Sequence, residues 1–481
     1  MIRNTIWSRV KKMFSASPPA KPARSANRFR LSLNTLEGRE VPAGLLDTTF
    51  SSDGKLTTAF DLGSPPNDQA TAVAIDSSGR TVVAGLVKRT ATGDFDFGVT
   101  RYTTTGALDT SFSGDGKTVI AFDLGGNKDD RPTGIAIDSF GRIIVVGSVQ
   151  RNLTGDFDFG VARLTTTGAL DTSFAGTGKT AIAFDIGGSR NDQATGVAID
   201  SFNRIIVGGY TQRNFTGDYD FAVTRLLPSG GRDGSFSVDG RATAAFDLGG
   251  AKDDRATGVA IDRLGRIVLG GYTQRNSTGD YDFAAARFNT FGNLDTSFSS
   301  DGKAVVAFNL GGSRDDRANG VAVDSFNRVV LGGYTQRVSS GDYDFAAARL
   351  TATGVLDTSF AGSGKTAIAF DLGGAGRNND RANSIVIDNV GNILLGGFAL
   401  RSTGSDFDFA VTRLNTFGGR DANFSGDGKV TVAFNIPNGG KSDAIRAIAV
   451  DSRRRVTAVG SVQFNNTGDF DFGVIRLSGD F

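Results

Sequence analysis

Apolar and polar residues alternate in short runs along most of the chain, and the runs end at glycine or aspartate. In one stretch the segments "GKTAIAFDIGG", "TGVAID", "IIVGGYTQR" and "DYDFAVTRL" follow one another, with turn sequences such as "SFNR" and "NFTG" between the later ones. A period of two, β-branched residues and glycine-rich borders predict four short strands. No apolar period of about 3.6 residues continues beyond one turn, so we predict no substantial helix.

This group of four strands recurs along the chain. Seven copies of an all-β unit predict a seven-bladed β-propeller with four antiparallel strands per blade, over residues 44–481. A β-solenoid is the structural alternative, but its shorter coil repeat and its calcium-binding nonapeptide are absent from the sequence. The aspartate of "LDTSF" and its variants recurs in steps of 62 residues and one of 64, at Asp47, Asp109, Asp171, Asp233, Asp295, Asp357 and Asp421. Strand-end arginines keep nearly the same spacing, at Arg101, Arg163, Arg225, Arg287, Arg349, Arg413 and Arg476.

The order of the strands predicts how the ring closes. We name the strands of a blade a ("TGVAID"), b ("IIVGGYTQR"), c ("DFAVTRL") and d ("GKTAIAFDI"), with a innermost. The chain ends on a c strand, "DFGVIRL", and it begins with an unaccompanied d strand, "GKLTTAFDL". Pairing of these two strands would complete the seventh blade and remove two open sheet edges.

Composition narrows the chemistry that the chain can perform. There is no cysteine and no histidine, which excludes disulfides, Cys or His metal sites and Cys or His catalysis. Residues 1–43 hold nine of the 52 basic residues and two of the 51 acids, so we interpret them as a basic, disordered leader or targeting segment. The remaining chain is mildly acidic, and we expect no nucleic-acid partner. No apolar run reaches the length of a membrane span. We expect a monomer.

Four sequence motifs characterise the repeat: "LDTSFSGDGK", "AFDLGG", "DDRATGVAIDSFGRIIVGG" and "DFAVTRLTTTGALDTSF". Together they resemble the delta-60 repeat family of bacterial proteins, and the resemblance covers residues 44–481. It implies a propeller-like fold and a secreted or surface location, but no defined activity. Separately, "LNTLEGREVPA" is similar to the "LExRxxPA" leader of repeat-rich bacterial surface proteins. That similarity implies export and an extracellular or cell-surface location.

The two ends of the blades differ in the residues of their connections. The d-to-a and b-to-c connections lie at one end, which we call the loop face, and the a-to-b and c-to-d connections lie at the other, the turn face. Arginine, lysine, asparagine and aromatic residues are more frequent in the loop-face sequences, so we predict that this face binds the ligand. The candidate ligand residues are Arg131, Arg151, Arg213, Arg255, Arg275, Arg317, Arg337 and Arg381.

Two series of aspartates lie in the loop-face connections. A spacing of five residues predicts cross-strand ion pairs: Arg89–Asp94, Arg151–Asp156, Arg213–Asp218, Arg275–Asp280, Arg337–Asp342 and Arg401–Asp406. Aspartates of the d-to-a loop are interpreted as loop caps, with a carboxylate ring at the channel mouth as the alternative: Asp68, Asp130, Asp192, Asp254, Asp316, Asp380 and Asp443.

The second aspartate of "DYDF" lies opposite a neutral residue, Thr211 in the third unit. We expect loop N–H groups or a d-to-a arginine to bind its carboxylate, with calcium as the alternative cofactor. We expect no other cofactor. The calcium candidates are Asp96, Asp158, Asp220, Asp282, Asp344, Asp408 and Asp471.

Seven similar units favour binding over catalysis, because an active site needs a few groups in distinct roles at one place. The sequence therefore predicts an exported binding or structural module for a glycan, an envelope component or a protein partner. The alternative is an extracellular hydrolase or lyase, with a single site near the closure seam where the first and seventh units depart most from the others.

Overall fold

The computed structural model describes most of the repeat region. The chain divides between Glu40 and Val41 into two units, and all described residues belong to the second. Apart from Ala43, the predicted leader lies outside the described residues. The described residues are 43–62, 67–89, 94–124, 129–151, 156–184, 186, 191–214, 217–248, 253–276, 279–310, 315–338, 341–372, 379–401, 406–434, 436, 442–465 and 468–479.

Seven four-stranded antiparallel sheets form a seven-bladed β-propeller, as predicted. Blade one contains β2 (Gln69–Ile75), β3 (Thr81–Lys88), β4 (Phe95–Tyr102) and β5 (Lys117–Ile120). Blade two contains β6 (Arg131–Ile137), β7 (Ile143–Gln150), β8 (Phe157–Leu164) and β9 (Lys179–Ile182). Blade three contains β10 (Asp192–Ile199), β11 (Ile205–Gln212), β12 (Tyr219–Leu226) and β13 (Arg241–Ala244). Blade four contains β14 (Arg255–Ile261), β15 (Ile267–Gln274), β16 (Tyr281–Phe288) and β17 (Lys303–Val306).

The remaining blades repeat this order. Blade five contains β18 (Arg317–Val323), β19 (Val329–Val338), β20 (Asp342–Leu350) and β21 (Lys365–Ile368). Blade six contains β22 (Arg381–Ile387), β23 (Ile393–Leu400), β24 (Phe407–Leu414) and β25 (Lys429–Val432). Blade seven contains β26 (Ala444–Val450), β27 (Val456–Gln463), β28 (Phe470–Leu477) and, from the other end of the chain, β1 (Lys55–Thr58). The described part of the chain has no helix, and so none that could span a membrane.

Closure of the ring is confirmed by the seventh sheet. Strand β1 pairs with β28 in antiparallel register, with Lys55 opposite Ile475 and Thr58 opposite Phe472. The backbone N–H of Asp47 also donates to the carbonyl of Arg476 at 2.8 Å, which extends the contact between the two ends of the repeat region. The last c strand therefore gains a partner along its outer edge.

The d strands are shorter than the sequence predicts. The apolar pattern of "GKTAIAFDI" favours a strand through most of the segment, but β9 has four residues. Phe184, just beyond it, packs on Phe159 of the c strand with ring centroids 5.0 Å apart, and its N–H donates to Asp192. Because the chain turns here towards the next blade, it leaves the ladder early.

The core lies between adjacent blades. Each interface contains a ring pair like Phe159–Phe184, which accounts for much of the high phenylalanine content. Small residues permit the close approach of the strands. A Cβ at Gly208 would lie 2.8 Å from Leu269 of the next blade, and one at Gly209 would lie 2.0 Å from the carbonyl of Gln193. The second contact arises at a β-bulge between Ala194 and Gly196 in the a strand.

Candidate functional site

The arginine of each b-to-c hairpin pairs with the second aspartate of the "DYDF"-type sequence. Arg213 Nη2 lies 2.5 Å from Asp220 Oδ2. The Asp218 carboxylate instead accepts a hydrogen bond from the Asn214 side chain at 3.1 Å. Six such pairs form: Arg89–Asp96, Arg151–Asp158, Arg213–Asp220, Arg275–Asp282, Arg337–Asp344 and Arg401–Asp408.

Two sequence predictions are therefore wrong. The predicted partners Asp94, Asp156, Asp218, Asp280, Asp342 and Asp406 were chosen as directly opposite strand positions. A long arginine side chain reaches diagonally, and the buried carboxylate two residues further on attracts it more strongly. For Asp220 we expected loop N–H groups or a d-to-a arginine, and the hairpin's own arginine takes that role. Its predicted cross-strand neighbour, Thr211, is confirmed.

Burial makes several of these aspartates weaker acids than an exposed aspartate. Burial raises the pKa of Asp220 to about 6; Arg213 opposes the rise, and the carboxylates of Asp218 and Asp254 add to it. Asp254 belongs to the d-to-a loop that enters the next blade, so this blade interface brings two carboxylates together. The pKa values of Asp96 and Asp344 are raised to about 6 by the same causes.

The aspartates of the d-to-a loops act as caps, as predicted. Asp254 Oδ2 accepts the N–H of Phe246 at 2.7 Å, and Asp254 Oδ1 accepts the hydroxyl of Thr273 at 2.5 Å. All seven members of the series are buried, so the alternative of an open carboxylate ring at the channel mouth is wrong. Burial raises the pKa of Asp130 and of Asp443 to about 6.

The closure seam differs from the other six interfaces. Phe464 stands where they carry the hairpin arginine, and Asp471 faces the carboxylates of Asp469, Asp61 and Asp68. Burial is the main cause that raises the pKa of Asp471 to about 6. Among the described residues, no group of three or more carboxylates is placed to hold a metal ion. In the other six units, arginine supplies the positive charge beside the calcium candidate.

We expect the protein to melt at a higher temperature at pH 5 than at pH 7.5, by roughly 5 °C. Asp96, Asp130 and Asp220 have folded-state pKa values of about 6, while an unfolded aspartate titrates near 3.9. Between these values the folded state holds protons that the unfolded state has released. Their stabilisation is therefore complete below about pH 4 and is lost as the pH rises through about 6.

Other carboxylates have lowered pKa values, and they limit how far acid can stabilise the protein. The pKa of Asp109 is one of these: burial acts to raise it, but hydrogen bonds from Ser111 and Arg101 outweigh burial and lower it. The stability that it contributes is lost as the pH falls below about 4. Differential scanning calorimetry from pH 3.5 to 8 tests the window. Asp96→Asn combined with Asp220→Asn should flatten the slope above pH 4, and a melting temperature that rises steadily from pH 5 to 8 would contradict the prediction.

The arginines that open several a strands are held by tyrosine pairs. The Arg255 guanidinium lies 5.1 Å from the ring centroid of Tyr210 and 4.5 Å from that of Tyr219, and Arg255 Nε donates to Asp253 Oδ1 at 2.7 Å. Burial raises the pKa of Tyr210 to about 12. The same arrangement surrounds Arg317 and Arg381.

The loop-face arginines that were predicted to bind a ligand therefore all contact carboxylates or aromatic rings of this chain. Arg131 pairs with Asp129 at 2.6 Å. Arg151, Arg213, Arg275 and Arg337 pair with buried aspartates, and Arg255, Arg317 and Arg381 stack on tyrosines. A ligand on the loop face would have to compete with these contacts.

Exposed apolar side chains concentrate on the turn face. The "DSFGR"-type turns use their aspartate as a cap: Asp324 accepts the N–H groups of Phe326 and Arg328, each within 2.9 Å. The turn does not need the aromatic ring, which is 71% exposed. The Arg328 guanidinium lies 5.0 Å from the ring centroid. Equivalent exposed side chains are Phe140, Phe202, Leu264 and Val390, and the c-to-d turns add Phe291, Val355 and Phe417.

Three adjoining clefts lie in an arc on the turn face, and we call these three clefts together the crescent. Its first cleft, about 700 Å³, spans blades four to six and is lined by Arg263, Phe326 and Phe417. The middle cleft, about 720 Å³, lies between blades six and seven, and shares Val390 with the first. The third, about 650 Å³, joins blade seven to blade one and shares Arg453 with the middle cleft.

The sequence contained a signal for this face that turn chemistry concealed. Aspartate first and glycine or asparagine fourth explain the a-to-b turn completely. An apolar third residue in five of the seven turns is not explained by it. Since monomers rarely expose many large apolar side chains together, this periodic excess makes the turn face a candidate contact surface.

Parts of five repeats are similar to a known family model. Five segments match a family model described as a β-propeller domain of unknown function, DUF5122: residues 77–112, 141–174, 203–236, 265–298 and 327–360. Each segment starts in an a-to-b turn and ends at the phenylalanine of the "LDTSF"-type sequence. No curated protein matches the sequence.

Several solved structures resemble the chain at low identity. Polysaccharide lyase Uly1 is 12% identical, with a TM-score of 0.48, 85% of this chain and 90% of that one covered. Virginiamycin B lyase from Staphylococcus aureus is 10% identical, with a TM-score of 0.43 and 88% and 98% covered. Sqt1 from Chaetomium thermophilum, bound to the N-terminus of a ribosomal protein, is 10% identical, with a TM-score of 0.43 and 88% and 100% covered. Similarity at this level carries no information about activity, so the chain is similar to DUF5122 β-propeller repeats and its function has to be argued from its own surface.

Proposed function

We propose that this protein is an exported or cell-surface binding module whose turn face binds a protein partner through the crescent. The observation that carries the proposal is the crescent itself, in which exposed phenylalanines stand beside arginines. Aromatic residues and arginine are enriched at protein–protein interfaces and supply most of the strongest contacts there. The export part of the proposal rests on the leader resemblance.

The distribution of charge supports binding at this face over the loop face. Loop-face arginines such as Arg213 and Arg255 already contact carboxylates or rings, and a partner would have to displace these contacts. Phe326 and Phe417 need no such exchange, because 71% of each is exposed. Covering them with a partner removes apolar surface from water directly.

The seam does not bring its two unusual described features into one site. These features are the Asp471 carboxylate, whose hairpin lacks the arginine of the other six, and the arginine-rich turn at Arg453. Asp471 lies opposite Val462, near the end of β27, whereas Arg453 precedes that strand. At about 3.3 Å per residue the two are separated by roughly 25 Å. They cannot contact one small substrate together.

A display selection on the full chain tests the proposal. Phage-displayed peptides are selected on the wild type and then measured on Phe326→Ser combined with Phe417→Thr. Both replacements occur at the equivalent positions of blade one, Ser78 and Thr105, so each turn has a counterpart in the chain. We expect the selected peptides to bind this variant at least about tenfold more weakly, because two desolvated aromatic contacts are lost.

A matched change on the loop face provides the control. Phe464→Arg also removes an exposed phenylalanine, and it restores the residue type of the other six hairpins. We expect it to leave peptide binding unchanged. Peptides that bind both variants equally, or a glycan array and a hydrolase and lyase panel that show glycan binding or turnover in place of peptide binding, would overturn the proposal.

A further inference from the structure

The a-to-b turn of blade seven differs from its six counterparts in charge. Its sequence is "DSRRR", from Asp451 to Arg455, whereas the other turns carry at most one basic residue before the final position. The turn separates the middle and third clefts of the crescent, and Arg453 and Arg455 line both of them. Arg454 lines the middle cleft.

Arg454 occupies a backbone position that disfavours a side chain. Its φ is +61°, in the left-handed region. The six equivalent residues are Gly79, Gly141, Asn203, Gly265, Asn327 and Gly391, which are the residue types that adopt this conformation most readily. A turn that needed only to reverse the chain would be more stable with glycine here. An arginine held in such a conformation points to a role for its side chain.

The described carboxylates that line these two clefts have arginine partners. Asp451 Oδ2 lies 2.6 Å from Arg455 Nε, Asp47 Oδ2 lies 2.7 Å from Arg476 Nε, and Asp76 Oδ2 lies 2.6 Å from Arg80 Nε. Arg453 is exposed, and no described carboxylate lies within 4.0 Å of it. Among the described residues, Arg453 therefore adds a positive charge at the centre of the crescent.

The walls of the middle cleft limit what such a site would accept. Leu46 and Val390 add apolar lining to the arginines, and the cleft adjoins the first cleft, which contains Phe326 and Phe417. A small free anion would use only the arginines. A peptide with acidic and apolar side chains would use both the arginines and the apolar walls.

We infer that the middle cleft of the crescent binds an acidic, partly apolar peptide segment, with Arg453 contacting its carboxylates. The inference rests on the proposed function and names the chemistry of the partner. Guanidinium groups bind carboxylates through charge-assisted, often bidentate hydrogen bonds, and these weaken as salt is added.

The test measures fluorescence anisotropy of labelled peptides on the full chain. One probe contains glutamate and leucine among glycines and serines, a second has glutamine in place of each glutamate, and sodium polygalacturonate is the glycan competitor. The test variant is Arg453→Ser combined with Arg454→Gly, which converts the turn to "DSSGR", the sequence of Asp76–Arg80 in blade one. We expect its dissociation constant for the glutamate probe to rise at least about tenfold, with no fall in melting temperature.

A charge-matched control separates local contact from general attraction. Arg131→Ser with Arg232→Ser removes the same charge away from the crescent, and should change binding by less than about twofold. Equal binding of the glutamine probe, unchanged binding by the test variant, or displacement by polygalacturonate alone would overturn the inference. Failure of every probe to bind would also overturn the inference. The proposed function is tested separately, by the display selection with the Phe326→Ser and Phe417→Thr variant.

Discussion

Deletion of residues 44–63 is expected to lower the melting temperature by more than about 10 °C and to make the protein prone to aggregation. The deletion removes β1, which is the outer strand of blade seven. It also removes Phe50, which is fully buried, and Asp47, the partner of the buried Arg476 at 2.7 Å. Loss of a large core aromatic costs about 3–5 kcal/mol, and an unpaired buried charge costs a similar amount.

The deletion acts on the whole ring because blade seven joins the two ends of the repeat region. Without β1, the c strand β28 loses its partner at Phe472–Ile475 and presents an open edge there. Calorimetry with light scattering of the full chain and the deletion variant measures both effects. The control is Thr57→Ala, an exposed position in the same strand, for which we expect a change within about 0.5 kcal/mol. An unchanged melting profile after the deletion would show that ring closure contributes little.

The architecture was predictable because its determinants are local and repeated. Each blade needs four alternating runs bordered by turn residues, and the seven copies reinforce one another along a single chain. The closure was predictable from the strand order, since an unaccompanied d strand at one end matched a missing one at the other. The early end of the d strands was not predictable from the sequence. In blade two it depends on Phe184 packing against Phe159 and on Asp192 capping the loop.

The partners of the aspartates depended on burial, which the hairpin sequence does not reveal. Spacing alone put Arg213 opposite Asp218, and the arginine instead reaches Asp220, which the next blade covers. The turn-face surface was missed for another reason. The aspartate of a "DSFGR"-type sequence is sufficient to cap the turn, and nothing local shows that the exposed ring of Phe326 lines a cleft.

One buried contact of the repeats was also missed, although its spacing is fixed in the sequence. In six units the strand-end arginine precedes the "LDTSF" aspartate by eight residues, as in Arg287 and Asp295, and Arg476 pairs with Asp47 across the seam. A constant separation between opposite charges was the available signal. The spacing alone does not show that the pair is buried, because no local sequence feature indicates that the Arg287 side chain is only 1% exposed.

Substitution of Arg287 by methionine is expected to destabilise the protein by about 3–5 kcal/mol. Arg287 Nε donates to Asp295 Oδ2 at 2.8 Å, and Nη2 donates to the Ser297 hydroxyl at 3.0 Å. Nη1 donates to the carbonyl of Ala352 in the next blade at 2.6 Å, so one side chain links two blades. Methionine fills a similar space but leaves the Asp295 carboxylate and that carbonyl without their donor, which is costly in a buried site.

A second substitution and a surface control separate charge burial from packing. Asp295→Asn in the Arg287→Met background should recover part of the loss, because the amide carries no charge to bury. Arg232→Met removes an exposed arginine that lies 3.6 Å from Asp239, and should cost less than about 1 kcal/mol. Equilibrium urea denaturation gives all three values. A loss as small for Arg287 as for Arg232 would mean that the buried pairs do not hold adjacent blades together, and that the phenylalanine pairs between blades carry the ring alone.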